Sequence, residues 1–232
     1  MAGQYIPIKG RDGDFSAYRA VPASGTGPGV LVLQEIFGVN ANMRLICDGL
    51  AEAGFVALCP DLFWRIEPGI ELDDHIDPDL KRAFALFTRF DVETGMRDIA
   101  DSLSALRADT ACTGKAGAMG YCLGGLLAYL TACRTDSDAS VGYYGVGIDA
   151  RLDEARDLDR PLLLHIAGKD QFVPPDAQAR IHDALDAHPA IRLEDYPDDD
   201  HAFARPGGLH YNETSAGQAN GLTIRFLYDA LN

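Results

Sequence analysis

Short apolar runs alternate along most of the chain with segments that place an apolar residue at every third or fourth position. The runs are typical of strands buried on both faces, and the three-to-four spacing is typical of helices packed against a sheet. Runs that predict strands cover residues 5–8, 15–21, 30–34, 55–59, 115–120, 139–144, 161–167 and 191–196. Segments that predict helices cover residues 40–53, 80–90, 92–108, 123–134, 175–187 and 214–231.

This alternation predicts an α/β fold: a doubly wound, mostly parallel sheet with helices on both faces. The first two strands flank Gly10-Arg11-Asp12-Gly13, which indicates a peripheral hairpin. Residues 62–78 are rich in Pro, Gly and acids and predict a surface excursion that forms a wall of the site. Since neither repeats nor a linker are visible, we expect one domain over residues 1–232.

The charge of the chain narrows the range of partners. A net charge of −15 argues against nucleic acid and anionic membrane as partners, because both require a basic surface. It also repels small anionic substrates, so an anion site would need local arginines. No signal peptide or membrane span is visible. We therefore expect a cytoplasmic protein. Because an acidic single domain with a small buried site can work alone, we expect a monomer.

The five cysteines form an odd set without C-x-x-C spacing or paired histidines. This pattern disfavours both a disulfide framework and a zinc site, and no metal site is predicted. Cys47 and Cys133 are predicted on helices, Cys59 on a strand and Cys112 in a loop, all in structural roles. Cys122 differs because it lies in "GYCLGG", between a predicted strand and a predicted helix.

Four reactive residues follow the predicted strands, where ligands bind in open α/β sheets. They are Glu35, Cys122, Asp170 and His201. The order nucleophile, acid, histidine is characteristic of the α/β-hydrolase fold, and Gly120-Tyr121-Cys122-Leu123-Gly124 matches its G-x-S-x-G elbow with cysteine in place of serine.

The elbow motif has a physical basis. Its glycines allow the strand and helix to approach closely around a strained nucleophile. The N-terminus of the following helix favours a thiolate on Cys122. In this fold the Leu123 N–H binds a developing oxyanion, and we expect its companion to be the Ile36 N–H.

Each of these residues also has a structural interpretation. Cys122 could be a buried filler, Asp170 could cap a loop, and His201 follows an acidic run typical of solvated surface. Their correct order at three strand ends favours a catalytic triad. His165 lies inside a strand and is predicted to be a hydrogen-bonded core histidine.

Six segments resemble the dienelactone hydrolase (carboxymethylenebutenolidase) family. They are "LQEIFGVNANMR", "CPDLF", "GYCLGG", "VGYYGVG", "GKDQFVPP" and "HAFAR", and the similarity runs from about residue 5 to the C-terminus. The resemblance implies that Cys122, Asp170 and His201 form the triad and that no cofactor is needed. It also implies that Glu35 hydrogen-bonds the resting thiol and moves when substrate binds.

The family substrate is a small anionic lactone, and the resemblance implies which residues hold it. Arg205 matches one of the two family arginines. Leu80 stands at the place of the other, so Lys81 or Arg82 is the candidate replacement. Phe84 and Phe87 occupy the positions of two substrate-binding aromatics. These departures put the identity of the substrate in question.

The resemblance implies hydrolysis of a dienelactone, of the 4-carboxymethylenebut-2-en-4-olide type, to maleylacetate through a thioester. The pathway implied is the catabolism of (chloro)aromatic compounds. Two alternatives stay open: an esterase or thioesterase of the same family acting on other activated esters, and a non-catalytic small-molecule-binding protein with the same fold. The expected partner is a small anionic lactone or ester.

Overall fold

In a computed structural model that describes residues 3–232, eight strands form a sheet in the order β1-β2-β4-β3-β5-β6-β7-β8. The strands are β1 (Gln4–Gly10), β2 (Gly13–Ala20), β3 (Gly27–Leu33), β4 (Val56–Pro60), β5 (Cys112–Tyr121), β6 (Ser140–Tyr143), β7 (Leu162–Ala167) and β8 (Ile191–Tyr196). The helices are α1 (Ala41–Glu52), α2 (Asp77–Arg89), α3 (Val92–Ala108), α4 (Leu123–Arg134), α5 (Pro175–Leu185) and α6 (Glu213–Leu231).

The predicted α/β class is confirmed by this sheet. The pairs β3–β4, β5–β6, β6–β7 and β7–β8 are parallel, and the pairs β1–β2 and β2–β4 are antiparallel. The chain divides into two compact units. One comprises the chain up to Gly117 with Leu231–Asn232, and the other comprises Ala118–Ala230. The single domain expected from the sequence stays a prediction.

The first unit begins with the expected hairpin, in which β1 and β2 pair with Ile8 opposite Phe15. Helix α1 follows β3, and the Asn40 side chain caps it by accepting a hydrogen bond from the Met43 N–H at 3.2 Å. The chain then turns at Gly54, whose φ of 97° favours glycine. The local sequence signals at both ends of α1 are therefore sufficient to explain its bounds.

The excursion predicted over residues 62–78 is observed over 62–76 as irregular chain with turns and one isolated β-bridge between Gly38 and Glu71, and residues 77 and 78 already belong to α2. Two buried acids anchor the first part of the excursion. Asp61 accepts hydrogen bonds from the N–H groups of Phe63 and Gly69 at 3.0 and 2.7 Å. Burial raises the pKa of Asp61, and the two amide donors oppose this rise. Asp98 binds the indole N–H of Trp64 at 2.8 Å. The segment is thus fixed by polar contacts rather than by regular structure.

In the second unit the end of β5 and strands β6, β7 and β8 pair in parallel. Every residue of β6 and β7 is buried, as the continuous apolar runs predicted. His165 lies within β7, and its ring nitrogens contact the hydroxyls of Tyr196 at 3.0 Å and Thr223 at 2.9 Å. Burial lowers the pKa of His165 to about 3, so the ring is neutral. The predicted core role of His165 is confirmed.

Several bounds differ from the sequence prediction by one to three residues, as for β3, which covers Gly27–Leu33 rather than 30–34, and α5, which ends at Leu185 rather than 187. Three further differences are larger in kind. Helix α2 begins at Asp77 rather than Leu80, because its first turn is Asp77-Pro78-Asp79, which favours a helix start but carries no apolar signal. Cys112 begins β5 instead of lying in a loop. Two short 3-10 helices, 148–150 and 152–157, were not predicted. Among residues 3–232 there is no helix with both the length and the hydropathy needed to cross a bilayer.

Candidate active site

Cys122 occupies the tight turn between β5 and α4 in the second unit. Its φ of 57° and ψ of −115° lie outside the regions that side chains favour. Such a conformation costs about 1–3 kcal/mol and is found mainly at functional sites. Its backbone is held by hydrogen bonds, since the Cys122 N–H donates to the Tyr143 carbonyl at 3.0 Å and its own carbonyl accepts the Gly125 N–H at 3.0 Å.

The glycines around Cys122 are required by close packing. A Cβ at Gly120 would lie 2.1 Å from the carbonyl oxygen of Gly124, and one at Gly125 would lie 2.5 Å from that of Tyr143. Both distances are well below van der Waals contact. Cys122 is the N-cap residue of α4, and its thiol is half-buried. At this end of the helix the dipole favours negative charge on the sulfur.

The loops after β7 and β8 bring Asp170 and His201 together. Asp170 Oδ2 lies 2.7 Å from His201 Nδ1, and both side chains are buried. Asp170 Oδ1 accepts the N–H of Phe172 at 2.8 Å. The capping role that the sequence allowed for Asp170 and its contact with His201 thus use different oxygens of one carboxylate.

The pKa of His201 is shifted by burial and by its neighbours Cys122 and Asp170. Burial lowers this pKa, but the negative charge of Cys122, hydrogen bonds with Asp170 and Cys122, and the Asp170 charge together raise it to about 10. The structure therefore brings the three predicted triad residues into one constellation. A pKa near 10 keeps the imidazole of His201 protonated at neutral pH.

We expect His201 to remain protonated up to about pH 10 in the wild-type protein and to titrate at a lower pH in a Cys122→Ala variant, because the variant lacks the thiolate charge. NMR titration of ¹⁵N-histidine-labelled protein measures both values, and neutral His165 is the internal reference. The raised pKa also means that protonated His201 stabilises the folded state. This contribution to the free energy of unfolding is complete below pH 6.5, the ordinary pKa of histidine, and is lost as pH rises through about 10. A wild-type His201 pKa near 6.5 would contradict the stabilisation of protonated His201 by Cys122 and Asp170.

Two aromatic rings pack edge-on against His201. The ring centroid of Phe172 lies 4.8 Å from that of His201, and the centroid of Tyr144 lies 5.0 Å away. Tyr144 is buried, whereas Phe172 is 42% exposed. The imidazole therefore contacts one buried and one partly exposed aromatic ring. Sequence reasoning did not assign either ring to the site, although Phe172 lies only two residues after Asp170.

The other candidate residues are placed as follows. Arg205 is buried on the His201 loop, where its N–H donates to the Ala202 carbonyl at 3.0 Å. Glu35 and Ile36 follow β3 in the first unit and are both buried. Their roles, and that of the Leu123 amide, stay predictions.

Helix α2 carries the remaining substrate-binding candidates. Arg82 forms an ion pair with Glu67 of the excursion. Lys81 is exposed, and Phe84 and Phe87 are 41% and 36% exposed. The predicted contact of these four residues with substrate stays a prediction.

The family resemblance is supported by comparison with known proteins. The model of the dienelactone hydrolase family matches residues 15–231. A provisionally named carboxymethylenebutenolidase of Azospirillum brasilense is 46% identical over 221 residues, covering 94% of each chain. A carboxymethylenebutenolidase of a Pseudomonas species is 40% identical over 225 residues, covering 97% of this chain and 94% of the relative.

A solved structure supports the same relationship. The crystal structure of a provisionally named dienelactone hydrolase from Klebsiella pneumoniae subsp. pneumoniae superposes with a TM-score of 0.86 at 27% identity. The match covers 97% of this chain and 98% of the solved chain.

Proposed function

Because the chain belongs to the dienelactone hydrolase family and is a hydrolase of ester or lactone bonds, we propose that it hydrolyses a dienelactone of the 4-carboxymethylenebut-2-en-4-olide type to maleylacetate. One observation carries the proposal: His201 lies 2.7 Å from Asp170 and shares a side-chain hydrogen bond with Cys122. This is the relation of base, orienting acid and nucleophile that acyl transfer requires.

The first step is the attack of the Cys122 thiolate on the lactone carbonyl. A carbon–sulfur bond forms, and the carbonyl electron pair moves to oxygen, where the amides of Leu123 and Ile36 are the proposed donors. As the first residue of α4, Leu123 lacks a helical acceptor for its N–H. The ring carbon–oxygen bond then breaks, and the enolate leaving group stays tethered and takes a proton from His201.

The second step is hydrolysis of the thioester. Neutral His201, oriented by Asp170, removes a proton from water as the water attacks the thioester carbonyl. Collapse of the tetrahedral intermediate expels the Cys122 thiolate and releases a dicarboxylate. Its enol tautomerises to the ketone of maleylacetate. Both steps use groups of the protein and water alone, so no cofactor is required.

The substrate carboxylate needs a cation because the chain carries a net charge of −15. Arg205 is the proposed partner, since a guanidinium can bind a carboxylate through two parallel hydrogen bonds. It lies four residues after His201 on the same buried loop. Lys81 and Arg82 are the proposed second cations, and Phe84 and Phe87 the proposed aromatic contacts.

A second candidate is an esterase or thioesterase that acts on other activated esters. The observation that favours it is Leu80, which stands where the family has an arginine, together with phenylalanines at 84 and 87. These substitutions remove a charge and two polar groups from the substrate-binding positions. They affect substrate choice and leave the proposed chemistry of Cys122 unchanged.

One assay separates the candidates. Purified protein is mixed with a dienelactone while the loss of its conjugated ultraviolet band is followed, and with simple aryl esters in parallel. We expect the dienelactone band to disappear at a rate proportional to enzyme. Hydrolysis of aryl esters alone would support the second candidate, and tight ligand binding without hydrolysis of any ester would support a non-catalytic binding protein.

The role proposed for Glu35 is to restrain the thiol until substrate binds. A Glu35→Gln variant should therefore alkylate faster with iodoacetamide at Cys122, by several-fold, because a negative charge that disfavours the thiolate is removed. Peptide mass spectrometry of the protein gives the rate at each cysteine. An unchanged rate at Cys122 would remove this role from the mechanism.

The proposed reaction places the protein in the catabolism of (chloro)aromatic compounds. The relatives named carboxymethylenebutenolidase support the proposed lactone hydrolysis, and the catabolic setting is proposed from that reaction. The cytoplasmic location and monomeric state expected from the sequence stay predictions.

A further inference from the structure

Asn212 forms hydrogen bonds with residues on both sides of His201 in the loop after β8. Its Nδ2 donates to Asp199 Oδ1 at 2.6 Å, and its backbone N–H donates to the Phe203 carbonyl at 2.9 Å. Asp199 lies two residues before His201 and Phe203 lies two residues after it. One residue therefore holds the segment 199–203 at its two ends.

Asn212 is itself fixed to the end of a long helix. Its Oδ1 accepts the N–H groups of Thr214 and Ser215 at 3.2 and 3.3 Å, and its carbonyl accepts the Ala216 N–H at 2.8 Å. This is the pattern of an N-cap, here on the 19-residue helix α6. The 199–203 segment is thus anchored to one of the most regular elements of the second unit.

Asp199 also forms a hydrogen bond with the loop that carries Asp170. Its carbonyl accepts the Lys169 N–H at 2.8 Å, and Lys169 immediately precedes Asp170. The side chain of Asp199 is buried, and its hydrogen bond with Asn212 is partly buried. The backbone positions of Asp170 and His201 are therefore linked through Asp199, and the side chain of Asp199 is held by Asn212.

The segment held in this way is strained at Ala202, which directly follows His201. Its φ of 65° lies in the left-handed region that disfavours every residue with a Cβ. A conformation of this kind persists only when surrounding contacts enforce it. The Asn212 hydrogen bonds on either side are contacts of that kind.

We infer that Asn212 is a positioning residue for the proposed hydrolysis: it holds the 199–203 segment in the strained conformation that places the His201 ring against Asp170 and Cys122. The inference rests on the proposed function for its effect on catalysis. Its effect on the His201 ring is independent of that function, because the 2.7 Å contact with Asp170 exists whatever the substrate is.

The test is an Asn212→Ser variant. Serine keeps an oxygen for capping α6 and keeps the backbone N–H, so the change removes the Nδ2 donor to Asp199. We expect kcat for dienelactone or aryl-ester hydrolysis to fall about 10-fold to 100-fold, as for a small displacement of a catalytic group, with KM changed less than about twofold. The pKa of His201 should fall below its wild-type value because the ring leaves its partners.

The matched control is Asp91→Ser, which changes the N-cap of α3 in the first unit. It should leave kcat and the pKa of His201 unchanged. A kcat and a His201 pKa at wild-type values in Asn212→Ser would overturn the inference while leaving the proposed function intact. If the wild-type protein hydrolyses no ester, the proposed function fails, and the pKa of His201 alone still decides the inference.

A second substitution tests the strain directly. Ala202→Gly allows the left-handed conformation without a Cβ. We expect Asn212→Ser to lower kcat less in the Ala202→Gly background than in the wild-type background. Equal losses in the two backgrounds would show that Asn212 does not act through the backbone at Ala202.

Discussion

Replacing Cys122 by alanine is expected to lower kcat/KM for ester hydrolysis by at least about 10⁴-fold, since nucleophilic residues of triads contribute on this scale. The variant lacks the atom that forms the thioester, and water cannot replace it at the elbow. The backbone N–H of residue 122 still reaches the Tyr143 carbonyl, and its carbonyl still accepts the Gly125 N–H. We therefore expect the variant to retain the fold.

Initial rates at several substrate concentrations give the loss in Cys122→Ala, and circular dichroism confirms the fold. Cys112→Ala is the matched control, because Cys112 begins the same strand β5 and is also partly exposed. It should hydrolyse substrate at the wild-type rate. Activity of Cys122→Ala within about 10-fold of wild type would mean that another group performs the attack.

An Asp170→Asn variant is expected to lose about 10³-fold to 10⁴-fold in kcat, as when the acid of a triad is replaced by its amide. Asparagine can keep the capping oxygen that accepts the Phe172 N–H. It then presents an NH₂ group to His201 Nδ1, which must accept rather than donate. The imidazole is thereby held in the wrong tautomer and loses the charge that stabilises its protonated form.

The measurement is the kcat of Asp170→Asn across pH, together with its thermal unfolding. A nearby control is Asp176→Asn, which changes an acid in the first turn of α5 that pairs with Arg180 on the surface. It should leave kcat unchanged. If Asp170→Asn keeps more than about one tenth of the wild-type kcat, the carboxylate is only a loop cap and does not orient His201.

Local sequence signals are sufficient to predict much of the fold. The continuous apolar runs of β6 and β7 are buried on both faces, and α3, α4 and β8 have the bounds that were predicted. The candidate site followed from topology, because parallel strands place their carboxyl ends at one edge. That rule was enough to associate Cys122, Asp170 and His201 although they are far apart in sequence.

What the sequence did not reveal depends on contacts between distant residues. Tyr144 and Phe172 pack on His201 from two different loops. Phe172 lies two residues after Asp170, but nothing in the sequence indicates that its ring, or that of Tyr144, contacts the histidine. Asn212 drew no prediction from the sequence, because its contact with Asp199 depends on how the loop returns to α6. The left-handed Ala202 is likewise invisible, because alanine is not a residue that predicts a positive φ.

The central claim is a thioester on Cys122, and the mass of the protein during the first turnover tests it most directly. Enzyme and dienelactone are mixed, quenched with acid at successive times and digested for mass spectrometry. Because the leaving group of a lactone stays attached, the peptide containing Cys122 should gain the full mass of the substrate and then lose it as product forms. An adduct on a different residue, or a first turnover of product without any adduct at Cys122, would contradict the account.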